Sequence, residues 1–138
     1  MPRPPLPDEL VEILRRPNPA VMGTVSPGGA PVTVATWYLW DAGRVLLNLD
    51  AGRARLEHLR ADPRVSLTVL DGEEWYRHVS LRGRVTEIVD DEGLADIDRL
   101  ATHYTGQQYG NRTDPRVSAW MEITRYHAWA GGSPWGGS

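Results

Sequence analysis

The chain has 138 residues, 41% of them hydrophobic and 24% charged, enough for one compact core and too few for two ordinary domains. All 15 basic residues are arginine and cysteine is absent, which excludes Schiff-base lysine chemistry, a Walker-type lysine, thiol nucleophiles, disulfides and cysteine metal sites. A formal net charge of -3 argues against general nucleic-acid binding, and no window approaches the roughly 20 apolar residues of a membrane span, so a cytoplasmic protein without membrane contact is expected.

In chain order, a Pro-rich arm leads to Asp8, placed to cap a short helix carrying Leu10, Val11, Ile13 and Leu14 at helical spacing, which Pro17 and Pro19 end. Residues 20–26 and 32–40 read as a hairpin around Pro27-Gly28-Gly29-Ala30, and 44–49 as a third strand after Asp41-Ala42-Gly43. Leu56 and Leu59 fall three apart among charged residues, predicting a helix that Asp62-Pro63 stops. Residues 65–70 and 79–89 are the next strands, the second alternating Val79, Leu81, Gly83 and Val85 against polar neighbours. Asp90 to about Tyr104 reads as a helix, and 119–130 closes the sheet. The expectation is a β-rich α+β fold: six antiparallel strands with short flanking helices in one domain over 1–130, followed by a Gly/Ser-rich tail at 131–138.

The segment with chemical promise is Leu46-Leu47-Asn48-Leu49-Asp50-Ala51-Gly52-Arg53-Ala54-Arg55, where a strand runs into a helix that opens with two arginines. Such a junction attracts a phosphate through the dipole end of the helix and through guanidinium forks. Residue types alone allow equally that Arg53, Arg55, Arg60 and Arg64 form a solvated face, partly paired with Glu57 and Asp62.

The run from Arg53 to Leu67, with Gly23-Thr24-Val25, Pro31 to Tyr38, Trp75-Tyr76 and the strand from Ile123 to Trp129 in the same order, resembles the pyridoxamine-phosphate-oxidase-like split barrels, over most of the chain. The short length and Trp75-Tyr76 are similar to the actinobacterial branch that uses the deazaflavin coenzyme F420. The resemblance implies a six-stranded split barrel, working as a homodimer with the coenzyme in the seam. It implies that Arg53, Ala54 and Arg55 grip the coenzyme phosphate, Arg55 standing where the family often has lysine. Val34, Ala35 and Thr36 would lie along the ring, Leu47 and Asn48 near the ring or ribityl chain, and Trp75 would approach the partner's site. Trp37 and His78 are the candidates to face a substrate, although each also suits ordinary packing or hydrogen bonding.

The implied reaction is hydride transfer from reduced F420 to an electron-poor small molecule such as a conjugated double bond, with FMN as the alternative coenzyme and a non-catalytic flavin- or deazaflavin-binding protein as the alternative role. In such a reaction the protein positions and shields the reactants, so no catalytic residue is expected. A proton could come from Tyr38, Tyr76, His78 or solvent. His58, His78, His103 and His127 lack metal-ligand spacing, and no serine sits in a nucleophile elbow, so neither a metal site nor a serine hydrolase is expected.

Overall fold

The computed structural model describes residues 1–130 and the backbone of Ser133 and Pro134. The strands are β1 (Ala20–Val25), β2 (Pro31–Thr36), β3 (Leu39–Asp41), β4 (Arg44–Asp50), β5 (Arg64–Leu70), β6 (His78–Asp90), β7 (Arg116–Ala130) and the two-residue β8 (Ser133–Pro134). The helices are α1 (Asp8–Leu14), α2 (Ala54–Ala61) and α3 (Ala95–Thr105), the last preceded by a 3-10 turn at Glu92–Leu94. All pairings are antiparallel, in the order β2-β1-β5-β6-β7-β4-β3, with β8 on β7. The two ends of this path, β2 and β3, are joined by Trp37 and Tyr38 alone. Two residues span less than about 11 Å, so the sheet must curl until its edges nearly meet.

The six-strand expectation is corrected here. The run 32–40 breaks because Tyr38 leaves the ladder and goes fully into the core. Its hydroxyl donates to the carbonyls of Leu14 at 2.8 Å and Arg16 at 3.1 Å, and its own N–H donates to the Tyr104 hydroxyl. A buried phenol needs such partners, and meeting them turns the chain between β2 and β3. Other boundaries move as well, that of the last strand among them, which starts at Arg116 rather than Ala119. Pro7, not Asp8, holds the N-cap position of α1. The strand β6 runs on through Asp90, and Asp91 accepts from the first N–H groups of α3, those of Asp96 at 2.8 Å and Ile97 at 2.9 Å. Of the expected tail 131–138, all but the backbone of Ser133 and Pro134 lies outside the described residues.

The main core fills the curl. Met22, Val45, Leu47, Leu49, Leu67, Val69, Val79, Leu81, Met121 and Ala128 face inward, and α1 closes one end with Leu10, Ile13 and Leu14. A smaller cluster of Leu46, Ile97 and Leu100 seats α3 on the outer face of β4. β4 is therefore buried on both faces, which explains its continuous apolar run. Each buried leucine contributes about 2 kcal/mol, so this double burial holds β4, with Asn48 near its carboxy-terminal end, rigidly where the site begins.

Candidate functional site

Where β4 gives way to α2, the Asp50 side chain accepts from the Gly52 N–H at 2.9 Å and its carbonyl accepts from the Arg53 N–H at 3.0 Å. That turn aims the amino terminus of α2 outward, and no side chain caps it. Arg53 is the N-cap residue and exposed; Ala54, also exposed, follows; Arg55, one position further, turns inward and is half-buried.

Arg55 enters a cleft of about 610 Å³ walled by the end of β2 (Ala35, Thr36), Trp37, Asn48, Tyr104, Tyr109 and Arg116, with Pro17 and Pro19 at its edge. The Arg55 Nη1 is buried and has no hydrogen-bond partner among the described residues. Burial lowers its guanidinium pKa below the ordinary arginine value, and the neighbouring charges of Arg53 and Arg116 lower it further. A guanidinium stays charged at any working pH, so this corner of the cleft is a desolvated cation among cations, an arrangement that an anion would relieve.

Part of the lining is aromatic. Trp37 stacks on Tyr104 with centroids 5.3 Å apart and planes 11° off parallel, and meets the edge of Tyr109 at 6.4 Å. The Tyr104 hydroxyl donates to the Asn18 carbonyl at 2.7 Å. Burial pushes its pKa up to about 12, so its phenol is uncharged at neutral pH.

Asn48 is 7% exposed and its carboxamide is fully occupied. Its Nδ2 donates to Asp91 Oδ2 and to Ser118 Oγ, both at 3.1 Å, while its Oδ1 accepts from Arg116 Nε at 2.7 Å. Arg116 also donates to the Asn48 carbonyl at 3.4 Å and to the Tyr109 hydroxyl at 3.3 Å, and its guanidinium carbon lies 4.9 Å from the Tyr109 ring centroid.

Residues 6–130 match the pyridoxamine 5'-phosphate oxidase family. The chain belongs to that family. Among solved structures, the family fold recurs in an F420 reductase, 28% identical over 88% of this chain and 98% of that one, with a TM-score of 0.81. It recurs in the conserved hypothetical protein Rv2991 of Mycobacterium tuberculosis, at 25% identity over 99% of this chain and 95% of that one, TM-score 0.71. HupZ of Group A Streptococcus, at 18% identity over 96% of this chain and 100% of that one, shares the fold at a TM-score of 0.67. No curated protein sequence matches the chain.

Of the residues expected at the family's coenzyme site, the structure gathers Ala35, Thr36, Asn48 and Arg55 around one cleft, together with the substrate candidate Trp37. Arg53 and Ala54 flank it at the start of α2 without lining it. Val34 packs against the core, and Leu47 is 1% exposed within it and does not line the cleft. Trp75 stands apart in the 71–77 connection, 59% exposed and stacked on Tyr76 at 4.2 Å. His78 opens β6 between Leu70 and Trp129 and does not line the cleft, with a buried Nδ1 that lacks a partner among the described residues. The solvated-face reading holds for exposed Arg60 and for Arg64, which forks onto Asp62 at 3.0 and 2.7 Å; it fails for Arg55.

Sequence reasoning missed Arg116, Tyr104 and Tyr109. The sequence reading starts the last strand at Ala119, so nothing in one dimension connects Arg116 to Asn48, 68 positions earlier. The observed register, Asp50 opposite Arg116 and Asn48 opposite Ser118, makes that connection.

Proposed function

We propose that this chain is an oxidoreductase that uses the deazaflavin coenzyme F420 to deliver a hydride to an electron-poor small molecule, such as a conjugated double bond, and that it works as a homodimer. The observation that carries the reading is the half-buried Arg55 guanidinium lining a cleft that also holds Arg116 and the aromatic residues Trp37, Tyr104 and Tyr109, with one of its nitrogens lacking a partner among the described residues. Those residues fit a phosphate-bearing ring coenzyme: the cationic corner suits the phosphate, and Ala35, Thr36 and Trp37 offer small and flat surfaces for a ring. The likeness to an F420 reductase over almost the whole of both chains supports the deazaflavin over FMN.

When bound, the coenzyme supplies the hydride, and the protein's part is binding, orientation and exclusion of water. Arg55 holds the anionic end. Trp37, fixed by its stack on Tyr104, sets the depth of the cleft. Tyr104 remains a neutral hydrogen-bond donor at working pH, its proton committed to the Asn18 carbonyl, so the proton that completes the reduction comes from elsewhere. Trp75 and Tyr76, the exposed stacked pair, are the surface offered to the partner subunit, where Trp75 would approach the second site.

Titrating the purified protein in parallel with F420 and with FMN, and following quenching of its tryptophans, tests this reading. Saturable binding of the deazaflavin with NMR- or absorbance-detected reduction of an unsaturated acceptor is the expected result. Binding of FMN alone would transfer the reading to a flavoenzyme, and binding of neither would remove it.

A further inference from the structure

Both family resemblance and sequence order pair Arg53 with Arg55 as the two arms of the anion clamp, but the side chains do not meet that way. Arg53 is the exposed N-cap residue and lines no part of the cleft, whereas Arg116, reaching in from the far end of β7, does. We infer that the second arm of the clamp is Arg116, held in place by Asn48, and that Arg53 contributes only to the surrounding field. This rests on the reading that the cleft takes an anionic group.

The case is one of donor accounting. A guanidinium has five N–H donors in a fixed fork. Three of those on Arg116 are spent within the protein: Nε on the Asn48 carboxamide at 2.7 Å, one Nη2 hydrogen on the Asn48 carbonyl and one Nη1 hydrogen on the Tyr109 hydroxyl. Two remain, and the shortest bond, at Nε, fixes the plane in which they lie. Arg55 lines the cleft from the α2 side. Two forks converging from different elements surround an oxyanion better than two neighbours on one helical turn, of which one points to solvent. Among the described residues no acidic side chain lines the cleft with them; Asp91 and Asp96, carboxylates of the network, are engaged with Asn48, Ser118 and the first N–H groups of α3.

Asn48 is accordingly a positioning residue rather than a ligand. Its Nδ2 is locked between Asp91 and Ser118, so its Oδ1 can only face Arg116. The amide is not free to flip, because a flip would set its NH2 against a guanidinium and its oxygen against a carboxylate. Through it the amino terminus of α3 and the anion-binding arm on β7 share one hydrogen-bonded chain.

The test uses inorganic phosphate and pyrophosphate as probes, so that it does not depend on which coenzyme is natural. In the unmutated protein, labelling with an arginine-specific dicarbonyl and mapping the modified peptides should show that pyrophosphate protects Arg55 and Arg116 and leaves Arg53 reactive. Calorimetry on Arg116→Ala should show phosphate binding weakened at least tenfold, the factor one charge-assisted hydrogen bond supports, with partial recovery in Arg116→Lys or on adding guanidinium ion; Arg53→Ala should stay within about twofold at moderate salt. Protection of Arg53 and Arg55 with Arg116 labelled at an unchanged rate would overturn the assignment while leaving an anion site in the cleft. Protection of none of the three would overturn the anion reading and this inference with it.

Discussion

Replacing Arg55 with methionine separates what this residue does for folding from what it does for binding. Its Nη1 is buried without a partner, and an unsatisfied buried donor costs about 1–3 kcal/mol. The residue is only half-buried, so solvent reduces the penalty towards about 1 kcal/mol. Methionine keeps the apolar stem that packs in the wall and removes the charge that Arg53 and Arg116 disfavour. The ligand-free variant is therefore expected to melt about 3 °C higher in a scanning calorimeter. Because a guanidinium does not titrate in the accessible range, the gain should be the same at pH 6 and pH 8. Binding should move the other way: losing one or two charge-assisted hydrogen bonds weakens phosphate or coenzyme by about 2–3 kcal/mol, roughly 30- to 150-fold. A ligand-free Arg55→Met protein that melts several degrees lower would show that the guanidinium is satisfied in the folded state, and unchanged affinity would remove it from the clamp.

Asp91→Ala should cost about 3 kcal/mol in urea unfolding, since it strips acceptors from the Asp96 and Ile97 N–H groups and from Asn48 Nδ2 at once; a loss below about 1 kcal/mol would contradict the network. A Cβ on Gly83 would strike the Glu122 carbonyl oxygen, which as backbone cannot move aside, whereas one on Gly23 would strike the Ser66 hydroxyl, which can rotate. Gly83→Ala is thus expected to lose about 3 kcal/mol or fail to fold, and Gly23→Ala to lose far less; thermal melts in the reverse order would refute this. The hydrogen bonds of Arg64 hold Asp62 down at about pKa 2. Its contribution is present above the ordinary carboxylate range and lost as pH falls through about 2, so an NMR titration should find it there, and Arg64→Ala should return it to the usual range.

The cleft shows how far one dimension can reach. Arg55 was visible because its setting is local: strand, turn and helix start follow within ten residues, and Gly52 with Asp50 marks the turn. Arg53 was equally visible for the same reason, yet it stands at the extended N-cap position of α2, and residues two positions apart at a helix start point about 200° apart around its axis, so the two cations do not enter the same cleft. The partners that complete the site, Arg116, Tyr104 and Tyr109, come from the other end of the chain. No local signal distinguishes Arg116 from the arginines on exposed faces.

Alternation of apolar and polar residues, turn chemistry and helical spacing by themselves determined the antiparallel, β-rich class and nearly every element, because period-2 burial and Gly/Pro/Asp turns are properties of neighbours in sequence. They could not determine where 32–40 breaks, since Tyr38 leaves its strand for hydroxyl acceptors on Leu14 and Arg16, more than twenty residues away. Nor could they place Asn48 between Asp91 and Arg116. Those choices belong to the tertiary structure: a buried polar group takes whichever partners the closed sheet brings within 3 Å or so, and the closing of the sheet is a property of all its strands together.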